Sequence, residues 1–277
     1  MPYALLDKDE RVIGALVGMP RDEAQWGTVV SEASSVLEAA RSTLYGNAAP
    51  TAHRRGCFSL VASGISYGGG QTEPCNRNNS PSHQRVVDSL LAHRAIQRIA
   101  GFSSASLQAY APKLYNYYSQ TLNGLLQHHP SLRRNFAGSV FGSATFNLGP
   151  QTATDPHIDH LNLPAGLCAI TALGRFDHRL GGHLILWDLG LIIEFPPGAT
   201  VLIPSALLCH SNTAVQPHET RYSMTQYSAS GLFRWVECGF QSQKAFDAAG
   251  RTHSMTGKER WNSGLSRLST LRDLLMH

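Results

Sequence analysis

Between Ser139 and Phe240 the sequence is a series of short apolar segments separated by turn residues, and this alternation constrains the fold more than any other feature. Turn signals within it include Gly181-Gly182, Pro196-Pro197-Gly198 and Gln216-Pro217. Segments of this length and spacing are typical of an antiparallel β-sandwich or barrel. Residues 138–240 are therefore predicted to form a β core. The segments are SVFGSATFNL, LCAITAL, HLILW, LIIEF, ATVLIP, YSMTQY and GLFRWVECGF.

The residues that precede this region follow a helical period instead. Apolar side chains recur at helical spacing from Asp22 to Leu44, and Gly46-Asn47 follows as a stop signal. A second helix is predicted from Ser82 to Gly101 and a third from Leu114 to Leu126. Between the first two lies a polar loop, YGGGQTEPCNRNNSPS (67–82), which contains three consecutive glycines.

Together these patterns predict an α+β protein in which helices pack against a β core. We divide it into a helical N-terminal portion with the glycine-rich loop (1–137), the β core (138–240), and a polar linker with a C-terminal helix (241–277). A length of 277 residues suits one large domain, so we expect the three portions to form one integrated unit. The C-terminal helix would carry Trp261, Leu265, Leu268, Leu271 and Leu275.

Composition excludes several classes of protein. Hydrophobic residues make up 42% of the chain, which is enough for a real core and excludes wholesale disorder. No apolar run reaches the roughly eighteen residues that a membrane span needs. The N-terminus meets an acidic residue by Asp7 and does not read as a secretory signal. The five cysteines (57, 75, 168, 209 and 238) contain no CxxC pair, which argues against a disulfide framework and a cysteine zinc site. We expect an intracellular protein.

The charge is unevenly distributed along the chain. Its net value is +4 for residues 1–150, −3 for 151–240 and +3 for 241–277. An acidic middle between basic flanks suits a metal-holding core whose surroundings meet a polyanion. Ordinary scatter of charges is the alternative explanation.

The segment DPHIDHLN contains an H-x-D pair, His157 and Asp159. On an extended strand these two side chains point to the same side and can reach one metal ion. A third ligand is expected from His210, at the end of a later predicted strand. Two histidines and one carboxylate form a facial triad, which binds non-haem Fe(II) and leaves three coordination positions open. Because the chain has 13 histidines, an H-x-D pair alone could arise by chance.

A second motif strengthens this prediction. Arg221 follows His210 by eleven residues and begins an R-x-S motif that ends at Ser223. A guanidinium can clamp a carboxylate with two hydrogen bonds, and a serine hydroxyl can add a third. In this arrangement the clamped group would be the distal carboxylate of 2-oxoglutarate, whose 2-oxo acid end chelates the iron. The order of these motifs is far more specific than either motif alone.

The chain from about Ser139 to Phe240 resembles the double-stranded β-helix (jelly-roll) core of Fe(II)/2-oxoglutarate dioxygenases. More narrowly, it resembles their TET/JBP-type nucleic-acid-modifying branch as found in fungi. The glycine-rich segment SGISYGGGQTEP (63–74) is similar to the N-terminal part of those fungal proteins. The segments that carry the resemblance are FNLGP (146–150), DPHIDHLNLP (155–164), LCAITALGRFD (167–177), GGHLILWDLGLIIEFPPGATVLIPS (181–205), HSN (210–212) and ETRYSMTQYSASGLFRWVECGF (219–240).

This resemblance implies oxidation of methyl groups on the bases of double-stranded DNA. The substrates would be 5-methylcytosine, oxidised in successive steps, or N6-methyladenine, which would be demethylated. The cofactors would be Fe(II), 2-oxoglutarate and O2, with ascorbate as a helpful reductant, and the location would be nuclear. Asn147 would join Arg221 and Ser223 as a contact to 2-oxoglutarate. Five scattered cysteines cannot build the cysteine-rich module of animal TET proteins, so the helical half and the loops would engage the duplex.

Six further residues are candidates for contact with DNA. Arg54 and Arg55 could bind phosphate, although adjacent arginines are more often a solvated turn. Gly69, Gly70 and Gln71 could enter a groove, with Gln71 filling the gap left by a flipped base, or could form a flexible surface loop. His160 points away from the predicted ligand face and could lie at the rim of the pocket.

Two other functions stay open from the sequence. The first is a dioxygenase of the same fold that acts on a protein side chain or a small molecule. The second is a non-catalytic β-helix module that binds a metal or ligand without turnover. The basic flanks favour DNA over the first, and the complete triad with Arg221 argues against the second. A serine hydrolase is set aside because no G-x-S-x-G motif occurs.

Overall fold

The computed structural model describes residues 2–46, 48–50 and 52–276. Its helices are α1 (Glu23–Tyr45), α2 (Pro81–Ala92), α3 (Arg94–Tyr110), α4 (Pro112–His128), α5 (Ser230–Glu237), α6 (Gln243–Ala248), α7 (Gly257–Leu265) and α8 (Leu271–Leu275). Its strands are β1 (Tyr3–Leu6), β2 (Val12–Gly18), β3 (Ala52–His53), β4 (Gly56–Cys57), β5 (Ser59–Ser66), β6 (Cys75–Asn76), β7 (Ser143–Gly149), β8 (Cys168–Arg175), β9 (Leu184–Leu186), β10 (Leu191–Ile193), β11 (Thr200–Ile203), β12 (His210–Asn212) and β13 (Thr220–Tyr227).

A large antiparallel sheet organises these elements. Its strand order is β1-β2-β11-β8-β13-β7-β5-β6, and a smaller sheet has the order β10-β9-β12. Helices α1, α2 and α3 cover one face of the large sheet, where Phe146, Leu148 and Tyr222 join their buried apolar side chains. The small sheet packs on the opposite face through Leu184 and Leu186. Successive side chains of a strand point to opposite faces. Every second residue therefore faces the helices, and the residues between them point towards the small sheet.

The helices predicted in the N-terminal portion are present, with two differences in their bounds. Helix α1 begins after Asp22, whose side chain accepts from the Gln25 amide, and ends with Gly46 as its C-cap. Asn47, the other half of the predicted stop signal, lies outside the described residues. The predicted helix from Ser82 to Gly101 is instead two helices, since His93 adopts an extended conformation between α2 and α3. Helix α3 then continues through Gly101, because one glycine inside a helix costs only about 1 kcal/mol.

The N-terminal portion is not purely helical, contrary to the prediction. It supplies β1, β2 and β5 to the large sheet, and β5 pairs with β7 from the predicted core. The alternating segment VIGALVG of β2 pairs with β11, so strands of the N-terminal portion and of the predicted core lie side by side. Strands β2 and β5 were missed because the strands they pair with, β11 and β7, lie far along the chain.

The segment GLFRWVECGF is also corrected, from a strand to a helix. Its apolar residues Leu232, Phe233 and Trp235 are buried on one side of α5. A short apolar run of this length is compatible with either structure, and contacts with α4 decide it here. The C-terminal region likewise forms three short helices where one was predicted. Capping boxes at Thr256 and Thr270 begin α7 and α8 separately.

The fold is thus a mixed arrangement of helices around a large antiparallel sheet. The Ser269 carbonyl accepts from the Val12 amide at 2.7 Å, which ties the C-terminal region to the N-terminal strands. Among the described residues, none of the helices has the length and apolar character needed to cross a membrane.

Candidate metal and co-substrate site

All three predicted metal ligands come together beside the small sheet. Ligand atoms of His157, Asp159 and His210 all lie within 4.8 Å of one another. His157 and His210 are held by a short antiparallel bridge, in which the backbone N–H of each donates to the carbonyl of the other at 3.1 and 3.0 Å. The Asp159 N–H donates to the Ser205 carbonyl at 2.8 Å, which fixes the backbone of the third residue.

Local hydrogen bonds prepare both histidines to bind a metal. Nδ1 of His157 lies 2.8 Å from the carbonyl oxygen of Asp155, and Nδ1 of His210 lies 2.9 Å from that of Leu208. A carbonyl oxygen can only accept, so each Nδ1 carries the proton and each Nε2 keeps a free lone pair. Burial lowers the pKa of both imidazoles, and the neighbouring His210 lowers that of His157 further. Both rings are therefore neutral at pH 7, the state that coordinates metals.

Arg221 lies in the same cavity as the three ligand residues and is almost fully buried, with 3% of its surface exposed. Its Nη1 donates to the Thr152 carbonyl at 3.1 Å, and its guanidinium lies 5.9 Å from the centre of the Phe176 ring. Within the described residues no carboxylate pairs with it, and burial alone lowers its pKa to about 10. A buried cation without an anionic partner is costly, so a site of this kind is built for an anionic ligand.

Unsatisfied polar atoms surround this guanidinium. Among the described residues, the buried side-chain atoms without a hydrogen-bond partner are Arg221 Nε, Asn147 Oδ1 and Thr152 Oγ1. Such atoms are rare in folded proteins because each loses its hydration without compensation. Arg221 and Asn147 line one cavity with the metal-ligand set, and Thr152 adjoins Arg221 through its carbonyl. A dicarboxylate with a 2-oxo group, held by a metal at one end and Arg221 at the other, fits this arrangement.

Ser223 and Asn147 lie where a co-substrate contact would require them. The two residues are paired in register across β13 and β7, and Asn147 Nδ2 donates to Ser223 Oγ at 2.8 Å. Arg221 and Ser223 are two residues apart on β13, so both project towards the same face. Gly182 makes room for the Phe176 ring and the guanidinium: its φ is +71°, and a Cβ there would lie 2.6 Å from the Phe176 ring and 3.3 Å from Arg221 Nε. All three predicted 2-oxoglutarate residues therefore line one cavity with the metal ligands.

The structure brings Arg54 and Arg55 to the metal site. Both lie in the turn between β3 and β4, and Nη2 of Arg54 lies 3.2 Å from Oδ1 of Asp159. Arg54 Nη1 also donates to the Ile158 carbonyl at 3.3 Å, while Arg55 Nη1 is 4.0 Å from Asp159 Oδ1. The adjacent arginines are thus partners of a predicted metal ligand, which their sequence alone did not indicate.

The glycine-rich loop is not part of this site. It leaves β5 at the end where Gly64 pairs with Ser143, whereas Leu60 pairs with Asn147. Four strand residues correspond to about 13 Å, so Gly69 and Gly70 are well separated from the Asn147 level. Gln71 donates through Nε2 to Ser66 Oγ and Cys75 Sγ, and would have to break these bonds to enter a duplex. His160 is exposed and is not among the residues grouped around the metal position.

Sequence reasoning missed two residues that support Arg221. The Thr152 carbonyl accepts from Arg221 and also from Nδ2 of Asn212, at 3.0 Å. Asn212 Oδ1 in turn accepts from the Thr154 amide at 3.0 Å. For Asn212 the sequence does contain a signal, because this residue lies two positions after His210 on β12 and so shares its face. Thr152 acts through its backbone, which residue type does not reveal.

Comparison with known proteins supports the fold. No protein-family model and no curated protein sequence matches the chain. It is similar to the solved structure of NgTET1 in complex with 5mC DNA, with 16% identity, a TM-score of 0.58, and coverage of 83% of this chain and 76% of that chain.

Two bacterial structures have lower TM-scores. An oxidoreductase of the 2OG-Fe(II) oxygenase family from Burkholderia pseudomallei is 15% identical, with a TM-score of 0.32 and coverage of 61% of this chain and 65% of that one. A Pseudomonas putida prolyl-4-hydroxylase is 13% identical, with a TM-score of 0.34 and coverage of 73% and 86%. TM-scores below 0.5 do not establish a common fold, so the fold likeness rests on NgTET1.

The geometry and the fold agree on one kind of site. The His157, Asp159 and His210 group fits Fe(II), and the cavity with Arg221 fits 2-oxoglutarate. The chain has the fold of NgTET1 and a site consistent with an Fe(II)/2-oxoglutarate-dependent oxygenase.

Proposed function

We propose that this protein is an Fe(II)/2-oxoglutarate-dependent dioxygenase with a double-stranded β-helix core that oxidises methyl groups on DNA bases. Its substrates would be 5-methylcytosine, converted to 5-hydroxymethylcytosine and further products, or N6-methyladenine, which would be demethylated. The observation that carries the oxygenase assignment is the buried Arg221, which has no anionic partner among the described residues and shares one cavity with His157, Asp159 and His210. With DNA as substrate, a nuclear location is part of the same proposal.

Each residue of the site has a separate task in this reaction. The two imidazole Nε2 atoms and the Asp159 carboxylate would hold Fe(II) and leave coordination positions open. Arg221, Ser223 and Asn147 would bind the distal carboxylate of 2-oxoglutarate and orient its 2-oxo acid end towards the metal. With both cofactors and O2 bound, the site would insert one oxygen atom into a methyl C–H bond while 2-oxoglutarate becomes succinate and CO2. Buried apolar side chains, among them Phe58 and Phe195, line the cavity and would limit the access of water.

Two observations support DNA as the substrate. A solved structure that shares this fold is that of NgTET1 in complex with 5mC DNA. Basic side chains also lie at the site: Arg54 is 55% exposed beside Asp159, and Arg55 lines the cavity. Guanidinium groups at the mouth of a site suit a ligand that carries phosphates.

The depth of the site requires the base to leave the helix. A methyl group within a stacked duplex cannot reach a metal held by the half-buried His157 and the buried His210, so the target nucleotide would be flipped out. For N6-methyladenine the hydroxymethyl product would release formaldehyde, which completes demethylation. For 5-methylcytosine the hydroxymethyl group is attached through carbon and would stay for further oxidation.

The test is an aerobic incubation with Fe(II), 2-oxoglutarate and ascorbate. Two duplex oligonucleotides are used, one with 5-methylcytosine and one with N6-methyladenine, and their nucleosides are quantified by mass spectrometry. We expect oxidised cytosine or loss of adenine methylation, absent without 2-oxoglutarate and absent with Asp159→Ala. Succinate formation without any change in DNA would overturn the DNA substrate and point to a protein or small molecule. Absence of both would overturn the oxygenase assignment.

A further inference from the structure

A second cavity lies between α4, α5 and the C-terminal helix α7, outside the metal site. Its volume is about 270 Å³, close to the lower end of the range for small-molecule sites, which is about 300 Å³. We propose that this cavity binds a nucleotide, with its arginines on the phosphate and Trp261 against the base. The nucleotide could be free or could belong to a DNA strand, and the second case rests on the proposed function.

The cavity carries an excess of positive charge. Arg234, Arg260 and Arg267 line it, and Glu237 is the acidic residue among the described lining residues. Glu237 accepts from the Tyr117 hydroxyl at 2.6 Å, so part of its capacity to accept hydrogen bonds from the arginines is already used. Within the described chain, the side chain of Arg234 makes no hydrogen bond or ion pair. Three guanidinium groups around one cavity repel one another unless an anion joins them, and their planar donors match phosphate oxygens.

The aromatic rings that line the cavity differ in how much of their surface neighbouring side chains cover. The Arg267 guanidinium lies 4.0 Å from the centre of the Tyr117 ring, and that ring also contacts Phe233 at 4.9 Å between centroids. Tyr117 therefore has little free surface. Trp261 is 40% exposed and lines the same cavity. An indole beside guanidinium groups is the combination that binds nucleotides, since every base offers a flat face for stacking.

The cavity is connected to the metal site through one loop. Leu163 and Ala165 line it, and they follow Asp159 by four and six residues. Six residues span at most about 22 Å, which corresponds to roughly six base-pair steps of duplex DNA. A strand whose target base occupies the metal site could therefore continue to this cavity. On this view the C-terminal helices add a subsite that lies several nucleotides from the target.

The direct test uses the fluorescence of Trp261. Trp26 and Trp235 are buried, and Trp187 is the other exposed tryptophan, so a Trp187→Phe background leaves Trp261 as the accessible reporter. We expect 5′-dAMP to quench this fluorescence in a saturable manner, whereas deoxyadenosine, which lacks the phosphate, should quench at least tenfold more weakly. The double substitution Arg234→Gln/Arg260→Gln should remove saturable quenching, with circular dichroism confirming that the variant is folded.

The second arm measures binding of a duplex at several salt concentrations. Loss of Arg234 and Arg260 should raise the Kd at least fivefold and flatten the slope of log K against log salt by about 2. The matched control is Arg94→Gln/Arg98→Gln, which removes two exposed arginines from a separate depression between α1 and α3. This control should change the Kd less than twofold.

The outcomes separate the cavity from the proposed function. Quenching by 5′-dAMP together with weaker duplex binding in the double variant supports a nucleotide of the DNA strand. Quenching with unchanged duplex binding supports a free nucleotide as the occupant. If the wild-type protein neither binds nor oxidises methylated DNA, the proposed function fails and the quenching result alone decides the cavity. Absence of saturable quenching, with duplex binding that the double variant leaves unchanged, overturns the inference.

Discussion

Arg54 Nη2 lies 3.2 Å from Oδ1 of Asp159, so a side chain from an exposed turn holds the carboxylate of the metal site. The same guanidinium donates to the Ile158 carbonyl, which fixes it to the backbone beside the ligand. Groups that hydrogen-bond to a metal-ligating carboxylate orient it and adjust its affinity for the ion. Because Arg54 is 55% exposed, water screens the repulsion between its charge and a bound cation.

Arg54→Ala should therefore weaken metal binding. Loss of the orienting hydrogen bond should raise the Kd for Mn(II), used as a redox-stable substitute for Fe(II), by about tenfold. Isothermal titration calorimetry of the metal-free protein measures this value without depending on turnover. Arg55→Gln is the matched control. The Arg55 guanidinium is 4.0 Å from Asp159, so its loss should change the Kd for Mn(II) less. Tighter Mn(II) binding in Arg54→Ala would mean that charge repulsion outweighs orientation.

Asp159→Ala should abolish metal binding and turnover. The substitution removes the anionic protein ligand and leaves two neutral imidazoles, which hold a divalent ion much less tightly. The expected result is no Mn(II) binding in the micromolar range and no succinate from 2-oxoglutarate. His160→Ala is the control, since this neighbouring residue is exposed and outside the ligand group. Equal loss of metal binding in both variants would show that the conformation of the loop, rather than the Asp159 carboxylate, determines the affinity for the metal.

The metal site could be predicted from sequence because its chemistry is carried by side chains in local patterns. His157 and Asp159 are two residues apart, and Arg221 and Ser223 are likewise, so each pair shares a face once the backbone is extended. Their convergence with His210 and Asn147 depends on the pairing of β7 with β13 and of His157 with His210. The order of the motifs along the chain was enough to suggest that convergence.

The fold was harder to predict where one pattern suits two structures. The segment of α5 has apolar residues that could face one side of a helix or alternate on a strand, and packing on α4 decides between them. Strands β2 and β5 were missed because they are separated in sequence from the strands they pair with, β11 and β7. The contact between Arg54 and Asp159 spans 105 residues and had no local signal at all.

Arg221→Met should separate the binding of 2-oxoglutarate from the stability of the fold. A buried cation that lacks a counterion destabilises the ligand-free protein, and methionine fills similar space without a charge. We expect the free energy of unfolding without ligand to be unchanged or higher by about 1 kcal/mol. The Kd for 2-oxoglutarate in the presence of Mn(II) should rise at least 30-fold, because a buried charge-assisted contact is lost.

The analogue 2-oxopentanoate provides the control for this prediction. It has a methyl group where 2-oxoglutarate has its distal carboxylate, so it should bind the wild-type protein and Arg221→Met with similar affinity. Calorimetry with both compounds and urea unfolding without ligand give the complete set of values. Equal affinity of the two proteins for 2-oxoglutarate would exclude Arg221 as the carboxylate clamp.

Cys168 should make the stability of the protein sensitive to alkaline pH. Its buried thiol lies 2.9 Å from Ser205 Oγ and accepts from Asn162 Nδ2 at 3.3 Å, beside the backbone that holds Asp159. Burial raises the pKa of Cys168 from 9.0 to about 12. The raised pKa means that the folded state favours the protonated thiol. The contribution of this thiol to the free energy of unfolding is therefore complete below pH 9 and is lost as the pH rises from 9 towards 12. Between pH 8 and pH 10 this amounts to about 1 to 2 kcal/mol of unfolding free energy.

Urea unfolding of the wild type and Cys168→Ala at pH 8, 9 and 10 tests this expectation. The alanine variant starts from a different stability because it loses packing, but its unfolding free energy should fall about 1 kcal/mol less between pH 8 and pH 10. Measurements stop at pH 10 because burial also raises the pKa of Tyr118, which would add its own dependence above that value. Cys57→Ala removes an exposed thiol and should keep the wild-type slope. Parallel slopes for all three proteins would show that the Cys168 thiol ionises as readily in the folded chain as in the unfolded one. In that case water reaches Cys168 and its partners Ser205 and Asn162.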